Sequence, residues 1–181
     1  MSESAAILEG MSDTALAIGA HVPQEDPIAE AVARQTSVVQ FFLGQPQSYK
    51  GPVVAYAGGA AALRAAAEAA GVALYVHAPY IVNVATTNNR IRIPSRKLLQ
   101  QHMDAAAEIG ARGLIVHGGH VDKGVDPAVG FDNWRKAIEA TDLKIPLLLE
   151  NTAGGDNAMA RHLDRIAGVW DAISAAQGAE Q

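Results

Sequence analysis

Cysteine is absent from these 181 residues, so neither a disulfide framework nor a thiolate metal site can be built. That fits a reducing compartment. Aromatic residues are scarce, at 5% of the chain against 49% hydrophobic residues. The core must therefore come from alanine and aliphatic side chains, a composition suited to helices packed over a parallel sheet. No apolar run approaches the ~18 residues needed to cross a bilayer. The opening Met1-Ser-Glu-Ser-Ala5 lacks the basic segment of a secretory signal. Positive charge is also in deficit, with a net charge of −5 and a pI near 5.6. This excludes a surface that grips nucleic acid all over, and leaves room for a local basic mouth. The expectation is a soluble, cytoplasmic α/β protein with no membrane partner.

What is present is a repeated form. Ile145-Pro-Leu-Leu-Leu-Glu150 is a short apolar run ended by a carboxylate and followed by Asn151-Thr-Ala-Gly-Gly155. Ala73-Leu-Tyr-Val76 runs into His77-Ala-Pro-Tyr80, and Gly113-Leu-Ile-Val116 into His117-Gly-Gly-His120. Short apolar runs bounded by turn residues read as strands buried on both faces. Each ends in a metal-ligand residue type, at the end of the strand where α/β folds keep their chemistry.

Read in order, residues 1–14 form a mobile leader and 15–181 one domain. The first strand is Ala15–Ala20, ending in His21. Asp26-Pro27 starts a helix through about Arg34, and Val38–Leu43 is the second strand. Its loop, 44–52, carries strong turn residues and one aromatic. Residues 60–70 are a helix stopped by Gly71. After the strand ending at His77, a long loop runs from Ala78 to Pro94. A helix covers Ser95 to about Ile109, the fourth strand ends at His117, and Asp126-Pro127 begins a helix through about Ala140. The fifth strand ends at Glu150, and a last helix spans roughly Ala158 to Ala176. Five βα units in strict alternation imply a parallel sheet with right-handed crossovers.

His77 and His117 are 40 residues apart, with Glu150 33 further on. Those steps match a βα unit, so the three side chains would project from one end of neighbouring strands. Two imidazoles and a carboxylate make a catalytic zinc set with a position left open. Zinc there would lower the pKa of a bound water to roughly 7, although such a site also accepts manganese or iron. His102, inside a helix, and His162, near the start of the last one, read as structural. His21, His120 and Asn151 are placed near the mouth.

Gly19-Ala-His-Val22, Val39-Gln-Phe-Phe-Leu43, His77-Ala-Pro-Tyr80, Val116-His-Gly-Gly-His120 and Glu150-Asn-Thr-Ala-Gly154 together resemble the endonuclease IV family, the zinc-dependent abasic-site endonucleases. Asn88-Asn-Arg-Ile-Arg-Ile-Pro-Ser-Arg96 resembles its actinobacterial members. The likeness runs from about Ala17 to Asp171. It implies an eight-stranded xylose isomerase-like TIM barrel binding three Zn2+ ions. His77 and His117 would hold one zinc, and Glu150 would bridge it to a second. A metal hydroxide would cleave the phosphodiester 5′ to an abasic site, leaving a 3′-hydroxyl and a 5′-deoxyribose phosphate. The partner implied is double-stranded DNA carrying abasic sites. Tyr80 would fill the space at the flipped-out nucleotide. Gln45 and Gln47 stand in the groove-facing loop, where some relatives carry asparagine and arginine. Lys50, Arg90, Arg92 and Arg96 are candidates for phosphates.

Such a family barrel continues through three further strands with more ligands, whereas ligands for one zinc alone are complete here. The expectation is therefore a C-terminally truncated chain, carrying five of eight βα units and of uncertain activity. The family is usually monomeric. Here the first and fifth strands would be open edges through which the chain self-associates. Two alternatives stay open: a sugar isomerase or epimerase of the same superfamily, and an inactive half-barrel that binds DNA or a partner.

Overall fold

The computed structural model describes residues 16–176, so the expected leader lies outside the described residues. The order of elements is β1 (Ala20–His21), α1 (Pro27–Ala33), β2 (Val38–Phe42), α2 (Gly59–Ala70), β3 (Ala73–His77), α3 (Asn89–Glu108), β4 (Gly113–His117), α4 (Pro127–Glu139), β5 (Leu147–Glu150) and α5 (Leu163–Ser174). All four neighbouring strand pairs are parallel, in the order β1-β2-β3-β4-β5. These are five βα units of a TIM-type barrel.

Alternation along the strands divides the sheet into two faces. Val39, Phe41, Leu74, Val76, Leu114 and Val116 are buried on the face that packs against the helices. Gln40, Tyr75, Ile115 and Leu148 occupy the other face and line an open cavity of about 350 Å³. His77, His117 and Glu150 share the parity of this second group. Helix starts follow the local chemistry. Asp26 and Asp126 cap α1 and α4, accepting from Ala29 N and Ala128 N at 2.9 Å each, with proline in the first turn. Gly71, at φ +65°, ends α2 in the left-handed conformation.

Four boundaries differ from the sequence reading. The first strand is two residues long, and Leu16 and Ile18 are exposed. The β2 ladder begins at Val38, which leaves the preceding residues little to pair with; Thr36 Oγ1 holds the Ile18 carbonyl instead. The long loop ends at Asn88 rather than Pro94. Asn88 caps α3 by accepting from Arg90 N at 3.0 Å, and Pro94 sits inside the helix. Pro94 lies past the unpaired N–H groups of the helix start, so it deprives the Arg90 carbonyl of its i+4 donor, a loss that the rest of this 20-residue helix carries. β5 is shorter than expected and half-exposed rather than buried on both faces; among the described residues β4 is its one strand neighbour. Finally, residues 158–160 are not helical. Met159 N donates to Gly119 O and Thr152 N to Ala160 O, both at 2.9 Å, and these bonds spend the backbone groups a helix would need.

Candidate metal centre

Register brings the strand-end residues into one row. Phe42 lies opposite His77, and His117 opposite Glu150. His77 pairs with Ile115, two residues short of His117, so both rings point from the same face. Glu150 Oε2 stands 2.9 Å from His77 Nε2 and 3.5 Å from His117 Nε2. One donor atom from each of the three residues lies within 4.8 Å of the others.

The hydrogen-bond chemistry of this trio fits a cation. His77 Nδ1 is 2.6 Å from the Ala78 carbonyl oxygen, which can only accept, so Nδ1 carries a proton. Its Nε2 then faces a carboxylate oxygen. Two acceptors at that separation require a proton or a metal ion between them. The carbonyl behind the ring is the partner that histidine ligands ordinarily have. His77 is buried, while His117 and Glu150 open toward solvent, with side chains 29% and 42% exposed. Burial pushes the His117 pKa below the usual histidine value and the neighbouring His77 adds to this, opposed by Glu150. A depressed pKa favours the neutral ring that binds metal.

An aromatic row extends the centre. His21 meets Phe42 at 4.9 Å between ring centroids, Phe42 meets His77 at 5.1 Å, and Tyr80 lies 5.3 Å from His117. His21 Nδ1 is 2.9 Å from Gln40 Nε2. Its pKa is lowered by burial first and by His77 second. In front of the trio opens a cavity of about 890 Å³, lined among others by Tyr49, Tyr80, His120, Asn151 and the loop that follows β5.

The remaining candidates divide. Gln45 borders a smaller cavity beside His21, about 210 Å³. Gln47, Lys50 and Arg90 are exposed and do not line the main mouth. Arg92 turns inward to the Thr86 carbonyl at 2.9 Å, and Arg96 to the Asn133 carbonyl at 3.1 Å. His102 is buried against Leu98, away from the trio, and His162 precedes α5 as its cap residue. Two residues gain weight from the structure. Phe42 joins His21 to His77, and Asn83 ties the β3–α3 loop to His120. Asn83 lies six residues past His77, but nothing about its residue type announces that contact.

Residues 28–177 match the family model described as a xylose isomerase-like TIM barrel. Over 156 residues the chain is 54% identical to a protein of Mycobacterium marinum called probable endonuclease 4; the match covers 86% of this chain and 60% of that relative. A Mycobacterium leprae protein of the same name is 52% identical over the same length. The crystal structure of endonuclease IV from Thermus thermophilus is similar, with a TM-score of 0.71 and 26% identity, covering 85% of this chain and 58% of that one. A D-psicose 3-epimerase solved in the presence of D-fructose has a TM-score of 0.62 at 15% identity over 87% of this chain and 60% of that one, a likeness of fold alone. The chain spans about 60% of the length of the curated relatives it matches.

Proposed function

This chain belongs to the xylose isomerase-like TIM barrel family, and from that premise we propose that it supplies part or all of the active site of an endonuclease IV-type phosphodiesterase that incises DNA at abasic sites in base excision repair. The observation that carries the reading is the His77, His117 and Glu150 trio, three metal-ligating side chains within 4.8 Å at one end of the sheet. The relatives named probable endonuclease 4 direct that chemistry toward DNA.

In this reading His77, His117 and Glu150 would hold a divalent cation, zinc by preference, and Glu150 would share a second. Such a cation, when bound, neutralises phosphate charge and lowers the pKa of a water ligand. The chain's own residues do the rest. Ala78 O keeps the His77 ring in the tautomer whose Nε2 is free to ligate. Tyr80, half-exposed over His117, offers a ring face to a sugar or base drawn out of the duplex. Lys50, exposed on the loop after β2, and Arg90, exposed in the first turn of α3, supply positive charge to the DNA backbone on a molecule that is otherwise acidic. Gln45 and Gln47 are the polar contacts of the loop beside them, with Arg92 a second-rank candidate because Thr86 already holds it. The DNA is double-stranded, and the setting is cytoplasmic.

The test is incision of a duplex with one abasic site by the purified chain, with and without chelator. Zinc-dependent cleavage giving a 3′-hydroxyl is the expected result. A zinc-replete chain that leaves the duplex intact would overturn the activity for these residues. Turnover of a ketose with no action on DNA would replace it by an isomerase.

A further inference from the structure

His120 stands in the same mouth and takes no part in the trio. It lies on the loop between β4 and α4, is exposed, and lines the large cavity with His117 and Glu150. Its position is fixed from several sides. Met159 N donates to Gly119 O at 2.9 Å and Val121 N to Asn157 O at 3.2 Å. His120 itself bridges to Ala158, and the buried Trp134 indole donates to Gly118 O at 2.8 Å.

The last constraint is Asn83, which is 5% exposed. Its Oδ1 accepts from the backbone N–H groups of Ala85, Thr86 and His120, each at 3.2 Å. An amide oxygen with three donors settles which end of the side chain is oxygen. Nδ2 is therefore the atom facing His120, 3.0 Å from its carbonyl oxygen and 3.2 Å from its ring Nδ1. Facing an N–H donor, Nδ1 must present its lone pair, and the ring proton sits on Nε2. Among the described residues Nε2 has no hydrogen-bond partner. Of the five hydrogen bonds this buried amide makes, three reach His120, and one of those, from Nδ2 to the ring, sets its tautomer.

We propose that His120 binds substrate, donating its Nε2–H to an anionic oxygen of the phosphodiester beside the trio, and that Asn83 is the positioning residue that fixes this donor. The inference rests on the phosphodiester reading of the mouth. A purely structural His120 would not need its outward nitrogen defined. A donor to a charged oxygen is worth on the order of tenfold or more in affinity.

The tautomer is read from long-range 15N–1H spectra of the chain, with His120 assigned by its loss in His120→Gln. Nε2 protonated and Nδ1 bare is the expected pattern; a proton on Nδ1 overturns the proposal. Binding is then measured under chelator for two probes, inorganic phosphate and a short duplex carrying a tetrahydrofuran abasic analogue. His120→Ala is expected to weaken both by about tenfold, and His120→Gln, which keeps an N–H, by much less. Asn83→Asp keeps the three acceptor bonds and removes the donor. It should move the ring proton to Nδ1 and weaken binding as His120→Ala does, with His120 still present. Loss of phosphate binding in a chain that ignores the duplex would uphold the donor and overturn the nuclease reading. Unchanged affinity in His120→Ala, or a wild-type chain that binds neither probe, overturns the proposal.

Discussion

His77 and His102 look alike from their own surroundings and belong to different regions of the molecule. Both are buried, at 4% and 1% exposure. Both set Nδ1 on a backbone carbonyl, Ala78 at 2.6 Å and Leu98 at 3.0 Å. His77 ends a strand and reaches a carboxylate across the sheet. His102 lies in the middle of α3, where the Leu43 carbonyl also acts on its ring to raise the pKa. Burial and a fixed tautomer are thus common to a structural histidine and a candidate ligand. What separates them is the carboxylate: His77 shares Glu150 with His117 at the open end of the sheet, where a cation can be held, whereas His102 meets backbone carbonyls alone.

The sharpest way to break this contrast is to remove each ring in turn. His77→Ala should lower metal affinity by more than about 100-fold, beyond the loss usual for an outer partner, with the fold kept as judged by circular dichroism. Zinc titration followed by calorimetry reads the effect. His102→Ala should leave metal affinity unchanged and cost about 2–4 kcal/mol of stability in urea unfolding, the range for emptying a packed core position. If His102→Ala lost metal, or His77→Ala kept it, the two regions would not differ in the way their geometry says.

A third substitution tests the loop rather than the rings. Gly119 has φ +67°, and a Cβ there would come within 2.3 Å of Asn83 Oδ1. Gly119→Ala should cost about 1–3 kcal/mol in urea unfolding and disturb the His120 ring signals, while zinc affinity at His77 and His117 changes little. Loss of zinc as well would mean that the loop and the strand ends move as one unit.

Much of this centre was legible from the amino-acid order. Apolar runs ending in His77, His117 and Glu150 announce both the strands and the residues at their tips, because a βα repeat forces those tips to one end of the sheet. The register that puts Phe42 beside His77 is not written in any residue type; it depends on how far the ladder of β2 is staggered against β3. Asn83 is hidden for the same reason, its partner lying 37 residues away. Pro94 misleads because a proline reads as a stop, while this helix starts before it and runs through it at the loss of one backbone bond. The alanine-containing 158–160 stretch misleads because its helix propensity loses to backbone bonds with the β4–α4 loop.

The smallest expected effect is on the pH dependence of stability. Burial lowers the His102 pKa below its ordinary 6.5, against the raising influence of the Leu98 and Leu43 carbonyls. As the pH falls past that ordinary value, the unfolded chain takes up the proton before the folded one does, so stability falls with it. The contribution is whole above the unfolded value and is lost progressively as pH drops through the folded one. His117 and His21 are also lowered and act with the same sign, so the wild-type slope sums three rings. Urea midpoints of metal-free protein between about pH 5 and 8 should therefore fall less steeply in His102→Ala than in wild type. An unchanged slope would mean that the carbonyls offset burial and leave the folded ring titrating as it does in the unfolded chain, and a steeper fall in His102→Ala would mean that the folded core holds His102 protonated. The distinction from His77 would then rest on the Glu150 carboxylate alone.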